Sequence, residues 1–350
     1  MKRSIRFLRR FIIFFLLSVF MLLAVVNAPW FFVNSKSTTE DYSSWMSETL
    51  DEDTLIIEVK MLGAHDAFSH EIGISSDVDE KSADGLMTGF IGRLIKGFSI
   101  RQSKTQVVSA KELLKSGVRY LDMRLSYNEK EESYYTAHNY FSSKIDEVLS
   151  EITLFLSENP GEFVILDLQH IYGVDYNDQE DFDEIYEYFE DSGILDYAIT
   201  NNQQLFEITY GDITDSKTKG GLIILSKFNT SNQYFFDYEA NIRSNWANED
   251  EFDKIISFLE DEKLSILTSS YYGEFRVMQA VATMEMSFTG IMRSFETWSL
   301  LGRARDFNKY LLEYEGLEAL LNVMPILMID FSTDYQIVDD YMELIISANL

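Results

Sequence analysis

Met61-Leu-Gly-Ala-His-Asp-Ala-Phe-Ser-His70 closes an apolar run, Leu55-Ile-Ile-Glu-Val-Lys-Met-Leu62, that Gly63 interrupts. Such a run predicts a buried strand over 55–61. A strand that stops at a flexible turn presents the next side chains, His65 and Asp66, at its tip. The same ten residues also fit a plain β-turn with a surface histidine. Partners elsewhere in the chain decide between the two.

Outward from this tip, apolar runs alternate with amphipathic segments. Residues 118–124 alternate with period two, as half-buried strands do, and 133–137 read as a short strand ending at His138-Asn139. Residues 163–169 are apolar enough for a strand buried on both faces. Further strands are predicted at 221–227, 264–268 and 325–330. Helices are predicted at 107–116, ended by Gly117, and at 144–157, where Ile145, Val148, Leu149, Ile152, Phe155 and Leu156 share a face. Helical patterns recur at 180–207, 251–260, 306–321 and 337–348, while 275–295 fits helix or strand. The glycine-rich stretch 71–100 reads as a long loop on the rim of the site. Strands alternating with helices indicate a parallel sheet, and seven to eight of them favour a closed α/β barrel over an open doubly wound sheet. The expected organisation is an N-terminal segment over 1–33, a polar stalk over 34–43 and one barrel over 44–350.

Charge excludes one class of partner. The first ten residues hold five Lys/Arg and no acid, so residues 11–350 carry 24 basic against 58 acidic groups, or −34. A field of that sign repels nucleic acid. No cysteine is present, which removes disulfides, thiolate metal sites and a Cys nucleophile. The basic N-terminus runs into an uncharged stretch from Phe11 to Ala28. That length approaches a bilayer span, and the arginines place its start in the cytoplasm. Val26-Asn-Ala28 has small-residue cleavage character, but Pro29 directly after it disfavours the cut. The preferred reading is a single-pass anchor in the cell membrane with residues 34–350 outside; the alternative is a secreted chain.

A barrel places its functional groups at the C-terminal ends of several strands. His65 and Asp66, Arg124, His138, Asp167 and Gln169, Lys227, residues 269–272 and Asp330 all occupy such places in the predicted order. Two histidines amid carboxylates and cations suit phosphodiester cleavage, which needs a base, an acid and positive charge on the phosphoryl oxygens. Arg124 can clamp a phosphate through parallel N–H bonds. A calcium site from Asp66, Asp122 and Asp167 is the alternative, against which the neighbouring Arg124 competes for the cation's place. Tyr271 could stack on a sugar ring or simply pack. His70 reads as a helix or loop side chain and His170 as a cap of the fourth strand.

These residues resemble a known family. Gly63-Ala-His-Asp-Ala67, Gly117-Val-Arg-Tyr-Leu-Asp-Met-Arg124, His138 and Glu158-Asn-Pro-Gly-Glu-Phe-Val-Ile-Leu-Asp-Leu-Gln-His170 are similar to the X-domain of phosphatidylinositol-specific phospholipases C. Trp45-Met46 and Ile329-Asp330-Phe331 resemble its bacterial branch. The resemblance implies a distorted TIM-type barrel acting as a monomer on a phospholipid or glycolipid at a membrane surface. It implies His65 as general base, His138 as general acid, Arg124 as phosphoryl stabiliser, Asp330 as the orienter of His65 and Asp66 as an aid to proton transfer. The implied chemistry uses no cofactor and gives a cyclic inositol phosphate and diacylglycerol. Lys227 resembles a position that contacts the inositol, Gln169 stands where some members have a basic residue, and 242–246, with Trp246, resembles an inositol-binding region with Ser244 in place of an acid. Two motif positions also depart: Ala64 replaces a threonine, and Asn139 follows His138 where glycine is usual. Calcium-dependent cleavage on the same barrel and a silent binding domain are the alternatives.

Overall fold

The computed structural model describes residues 2–28, 36–83, 89–269, 273–283, 297 and 299–350. Its strands are β1 Met61–Ala64, β2 Val118–Asn128, β3 Ser133–His138, β4 Tyr140–Lys144 and β5 Phe163–Tyr172. They continue as β6 Gly221–Ser226, β7 Phe235–Asp237, β8 Ile242–Arg243, β9 Phe275–Gln279 and β10 Ile326–Ile329. The main path runs β7-β6-β5-β2-β1-β10-β9-β8, with every neighbouring pair parallel. Helices such as Ile145–Glu158 and Val338–Asn349 bury their apolar faces against this sheet. Among the described residues β7 and β8 do not pair, although only the short helix Tyr238–Asn241 separates them. The expected closed barrel is therefore a curled sheet with an open seam, a distorted TIM-type barrel.

Close packing explains the glycine at the first strand. Gly63 lies opposite Tyr120 and Met328. A Cβ there would come within 2.9 Å of the Tyr120 ring and 3.3 Å of the Met328 Cα. Tyr120 is fully buried and has nowhere to yield. Only glycine lets three strands converge beneath the site.

Several expectations need correction. The strand predicted at 55–61 begins only at Met61, because Ile56–Glu58 forms a 3-10 turn. The strand predicted at 264–268 is the end of one helix, Phe252–Thr268. Nothing between Glu260 and Leu264 breaks a helix: Lys263 pairs with Glu260 one turn earlier at 2.5 Å, and Ile266 continues the buried face of Ile255 and Leu259. Residues 269–272 thus follow a helix rather than a strand. β3 is not a barrel strand either, since β2 overshoots the sheet and folds back into the antiparallel β3 and β4. The stretch read as a stalk is held to the domain over 36–43. Ser37 bridges Asp334, Tyr42 N–H donates to Lys115 O at 2.9 Å, and Thr38 Oγ1 donates to Asp339 at 2.8 Å.

A buried ion pair braces the face opposite the site. Arg119 and Glu162 are both fully buried and meet at 2.6 Å. Arg119 also donates to the carbonyls of Tyr42, Ser43, Leu114 and Val118, while Glu162 accepts from the Ser47 amide. Burial weakens both charges, lowering the Arg119 pKa and raising that of Glu162. Each is kept by the other, so removing one strands its partner in a dry interior. Glu162→Ala should cost about 3–5 kcal/mol of stability. A denaturation midpoint equal to wild type would show that water reaches Arg119.

Candidate active site

Four elements deliver the site, and left-handed backbone marks the turns that follow three of them. After β1 the chain turns through Asp66 at φ 40°, after β3 through Asn139 at φ 61°, and after β10 through Phe331 at φ 51°. Non-glycine residues rarely sit in this left-handed region, although Asn and Asp tolerate it best. Asn139 therefore fills a position where glycine would be easiest, which accounts for the departure at that motif. The Asp66 turn is held by β2: Asp66 N–H donates to Asp122 Oδ2 at 3.1 Å and Ala67 N–H to Asp122 O at 2.9 Å.

Around this turn the charges interlock. His65 Nδ1 lies 2.7 Å from Asp330 Oδ1, and its Nε2 lies 3.0 Å from Arg124 Nη2 and 3.3 Å from Asp66 Oδ2. Arg124 forms ion pairs with Asp66, Nε to Oδ1 at 2.7 Å, and with Asp122, Nη2 to Oδ2 at 3.2 Å. His138 Nδ1 donates to Ser103 O at 2.8 Å and lies 3.4 Å from Asp66 Oδ2. The two imidazole centroids are 6.3 Å apart. His65, Arg124, His138 and Asp330 line one cleft of about 610 Å³, together with Gln169, Lys227 and Trp246. Of the predicted site residues, only Tyr271 lies outside the described residues.

Two effects act on His65. Burial pushes its pKa down, but Asp66 and Asp330 outweigh burial and Arg124, so the ring is pushed up to about 9. The Arg124 contact demands the opposite charge state. A guanidinium only donates, so at 3.0 Å Nε2 must accept, and the ring is neutral with its proton on Nδ1 toward Asp330. Two donors cannot face each other at that distance, so geometry decides the resting state. Withdrawing that donor would free Nε2 to take a proton, and Asp66 and Asp330 favour the imidazolium that results. Burial also acts on Asp66, but Arg124, His138 and His65 hold its carboxyl below the usual range.

The opposite wall differs in character. Lys227 Nζ sits 4.6 Å from the Tyr238 ring centroid, and Gln279 Nε2 donates to Ser244 O and Oγ at 2.9 and 2.8 Å. Trp246 Nε1 donates to Thr283 Oγ1 at 3.0 Å. Asp167 does not line the cleft. It is wholly buried beside Asp122, its register partner, and accepts from the Tyr120 hydroxyl. Burial and the Asp122 charge push its pKa up to about 7. His65, Asp66 and Asp122 offer donor atoms close enough to share a cation. Arg124 is already paired with both carboxylates, so the donor set is spent on a guanidinium and fits a resident metal poorly.

A family model described as PI-PLC X matches residues 88–257. The chain is similar to the PI-PLC X-domain family over these residues, which make up just under half of its length. A variant-surface-glycoprotein phospholipase C of Trypanosoma brucei brucei is 39% identical over 141 residues, 37% of this chain and 39% of that protein. A PI-PLC X-box domain-containing protein of Dictyostelium discoideum is 25% identical over 346 residues, 87% of this chain and 41% of that one. The matched region thus spans about two fifths of these relatives' length. The phosphatidylinositol-specific phospholipase C of Listeria monocytogenes superimposes with a TM-score of 0.57 at 19% identity, covering 89% of this chain and 99% of that one. A Staphylococcus aureus variant gives 0.57 at 16%, covering 90% and 99%. These structures share the fold, and the superposition extends well beyond residues 88–257.

Some site groups carried little sequence signal. Sequence assigns Asp122 no role beyond that of a candidate calcium ligand, yet it holds both Arg124 and the Asp66 turn. Ser103 acts through its carbonyl, which no side-chain pattern reveals. Gln106 bridges the His65 and Ile329 carbonyls from a helix-flanking loop, at 3.1 Å each. His170 lines the cleft within β5, against Tyr172, rather than capping the strand. The Asp330 contact predicts a titration. Asp330 raises the His65 pKa, so Asp330→Asn should move it downward from about 9. Histidine NMR titration reads the shift directly, and an unmoved His65 would reject the coupling.

Proposed function

We propose that this chain cleaves the phosphodiester of phosphatidylinositol or a related phospholipid or glycolipid, without a metal, by proton transfer through His65 and His138. The observation that carries the reading is the pair of imidazoles 6.3 Å apart, flanking Arg124 and each within 3.4 Å of Asp66. Relatives named phospholipase C and fold neighbours specific for phosphatidylinositol favour the same substrate class.

The steps follow from the donors and acceptors. An incoming phosphate competes for Arg124 and draws Nη2 off His65 Nε2, freeing that nitrogen as a base. His65 takes the proton of the substrate's attacking hydroxyl while Asp330 stabilises the imidazolium that forms. The hydroxyl oxygen bonds to phosphorus, and the bond from phosphorus to the lipid oxygen breaks. His138, its Nδ1–H fixed on Ser103 O, gives a proton from Nε2 to that leaving oxygen. Arg124 takes up charge on the phosphoryl oxygens. The products are a cyclic phosphate and a neutral alcohol, diacylglycerol for a glycerolipid. Lys227, Gln169 and Trp246 form the headgroup wall.

His65→Ala and His138→Ala should each lower turnover by about 10²–10⁴-fold with the fold retained. The assay is a panel of phospholipids and lipid-anchored glycans, with and without EDTA, followed for cyclic phosphate by phosphorus NMR. Wild-type turnover in either variant rejects the acid–base pair. Loss of activity in EDTA favours a calcium site at His65, Asp66 and Asp122 instead. No product on any substrate favours a binding domain.

A further inference from the structure

The helix Lys2–Val26 is apolar enough to cross a membrane from Arg6 to Val26, and almost none of that span is buried. Its last turn behaves differently. Val26 and Ala28 are buried, and between them Asn27 joins three helix ends with one side chain. Asn27 Nδ2 donates to Leu23 O at 2.8 Å, on its own helix, and to Leu94 O at 2.8 Å, at the end of the helix Phe90–Leu94. Asn27 Oδ1 accepts the Gly97 N–H at 2.7 Å, so it caps the next helix, Lys96–Ser103, from outside. Buried Arg101 on that helix returns the contact, donating from Nη2 to Val26 O at 2.6 Å. The approach is close enough that a Cβ on Gly97 would lie 3.0 Å from the Asn27 Cα.

The same short helix reaches the site. It is about 12 Å long, and its far end is Ser103, whose carbonyl accepts from His138 Nδ1 and whose hydroxyl accepts from Asn139 Nδ2 at 3.1 Å. Tyr140, next along the hairpin, donates its hydroxyl to Ser99 Oγ at 2.8 Å. One end of the helix therefore touches the apolar segment, and the other holds a ring proton of His138.

We propose that the apolar helix stays on the mature protein as a membrane anchor, and that Asn27 is a positioning residue that seats the helix Lys96–Ser103 and through it His138. Cleavage after Ala28 would carry Asn27 away and leave the Gly97 amide and Leu94 carbonyl without that partner. The role given to His138 rests on the function proposed above, whereas the seat does not.

Three measurements on the full chain, extracted from membranes in detergent, test this. Intact mass should include residues 1–28; a mature chain starting at Pro29 overturns the anchor. Asn27→Ala should speed amide exchange across 97–103, and unchanged exchange overturns the seat. On a water-soluble inositol phosphodiester, which needs no bilayer, Asn27→Ala should lower kcat about tenfold with KM unchanged. Asn27→Asp, which keeps the acceptor for Gly97, should restore part of it. Faster exchange with an unchanged kcat overturns the positioning of His138. Should Asn27→Ala not fold, Gly97→Ala disturbs the same contact from its other side and is read in the same three ways. Mass and exchange do not depend on turnover, so a failure of the proposed chemistry is separable from a failure of the seat.

Discussion

A guanidinium cannot shed its charge, and Arg124 sits at the floor of a cleft where water reaches little of it. It must be paired, and its partners then dictate the rest of the site. Asp122, two residues earlier on β2, supplies one carboxylate, and the same Oδ2 together with its backbone carbonyl pins the Asp66 turn. Asp66 supplies the other and in doing so comes within reach of both histidines. The acids that keep Arg124 in place also pull His65 toward its charged form, which would disable it as a base. Arg124 corrects this itself, because its Nη2 against Nε2 is compatible only with a neutral ring. One ion-pair cluster thus fixes the strand tip, the charge state of His65 and the place where an anion could displace a donor.

Most of this was legible in the sequence because it lies on regular elements. Gly63 and His65 follow an apolar run, Arg124 lies on a strand, and Asp330 ends one, so periodicity places them. Legibility failed where structure depends on continuity or on the backbone. Residues 260–263 carry helix formers and no Gly or Pro, so one long helix stands in place of the expected helix and strand. His138 was placed at a strand end for a reason that does not hold, since it rides an antiparallel hairpin outside the parallel sheet. The Ser103 carbonyl has no residue-type signature at all. The open seam between β7 and β8 was hidden too, because barrel closure depends on pairing between distant short strands that local pattern does not encode.

The two walls of the cleft obey different physics. On the catalytic side each group is bound to another by a charge or a strained turn, so a change at one is felt by several. On the headgroup side Lys227 rests on a Tyr238 ring, and neutral Gln169, Ser244 and Gln279 supply adaptable hydrogen bonds. Beneath them Asp167, pushed up to about 7, is poised between its neutral and charged forms near neutral pH. A wall of this kind can exchange donors and acceptors without disturbing the acid–base pair, which is why headgroup choice is the part of the site least tied to the family motifs.

Global charge and local charge oppose each other in this molecule. The body carries −34 beyond its first ten residues, which disfavours adsorption to anionic lipid. Screening limits that repulsion to a layer of about 8 Å at physiological ionic strength. Arg124 and Lys227 line the cleft itself, so an anion entering it would meet them inside that length, whereas charges outside that layer are screened from it. A phosphodiester is therefore attracted once inside but gains nothing from long-range steering on the way. Covalent attachment to an apolar helix changes that balance, because it replaces an unfavourable encounter with a fixed high local concentration of substrate. A strongly acidic body is reasonable beside a membrane if it never has to find the membrane by charge.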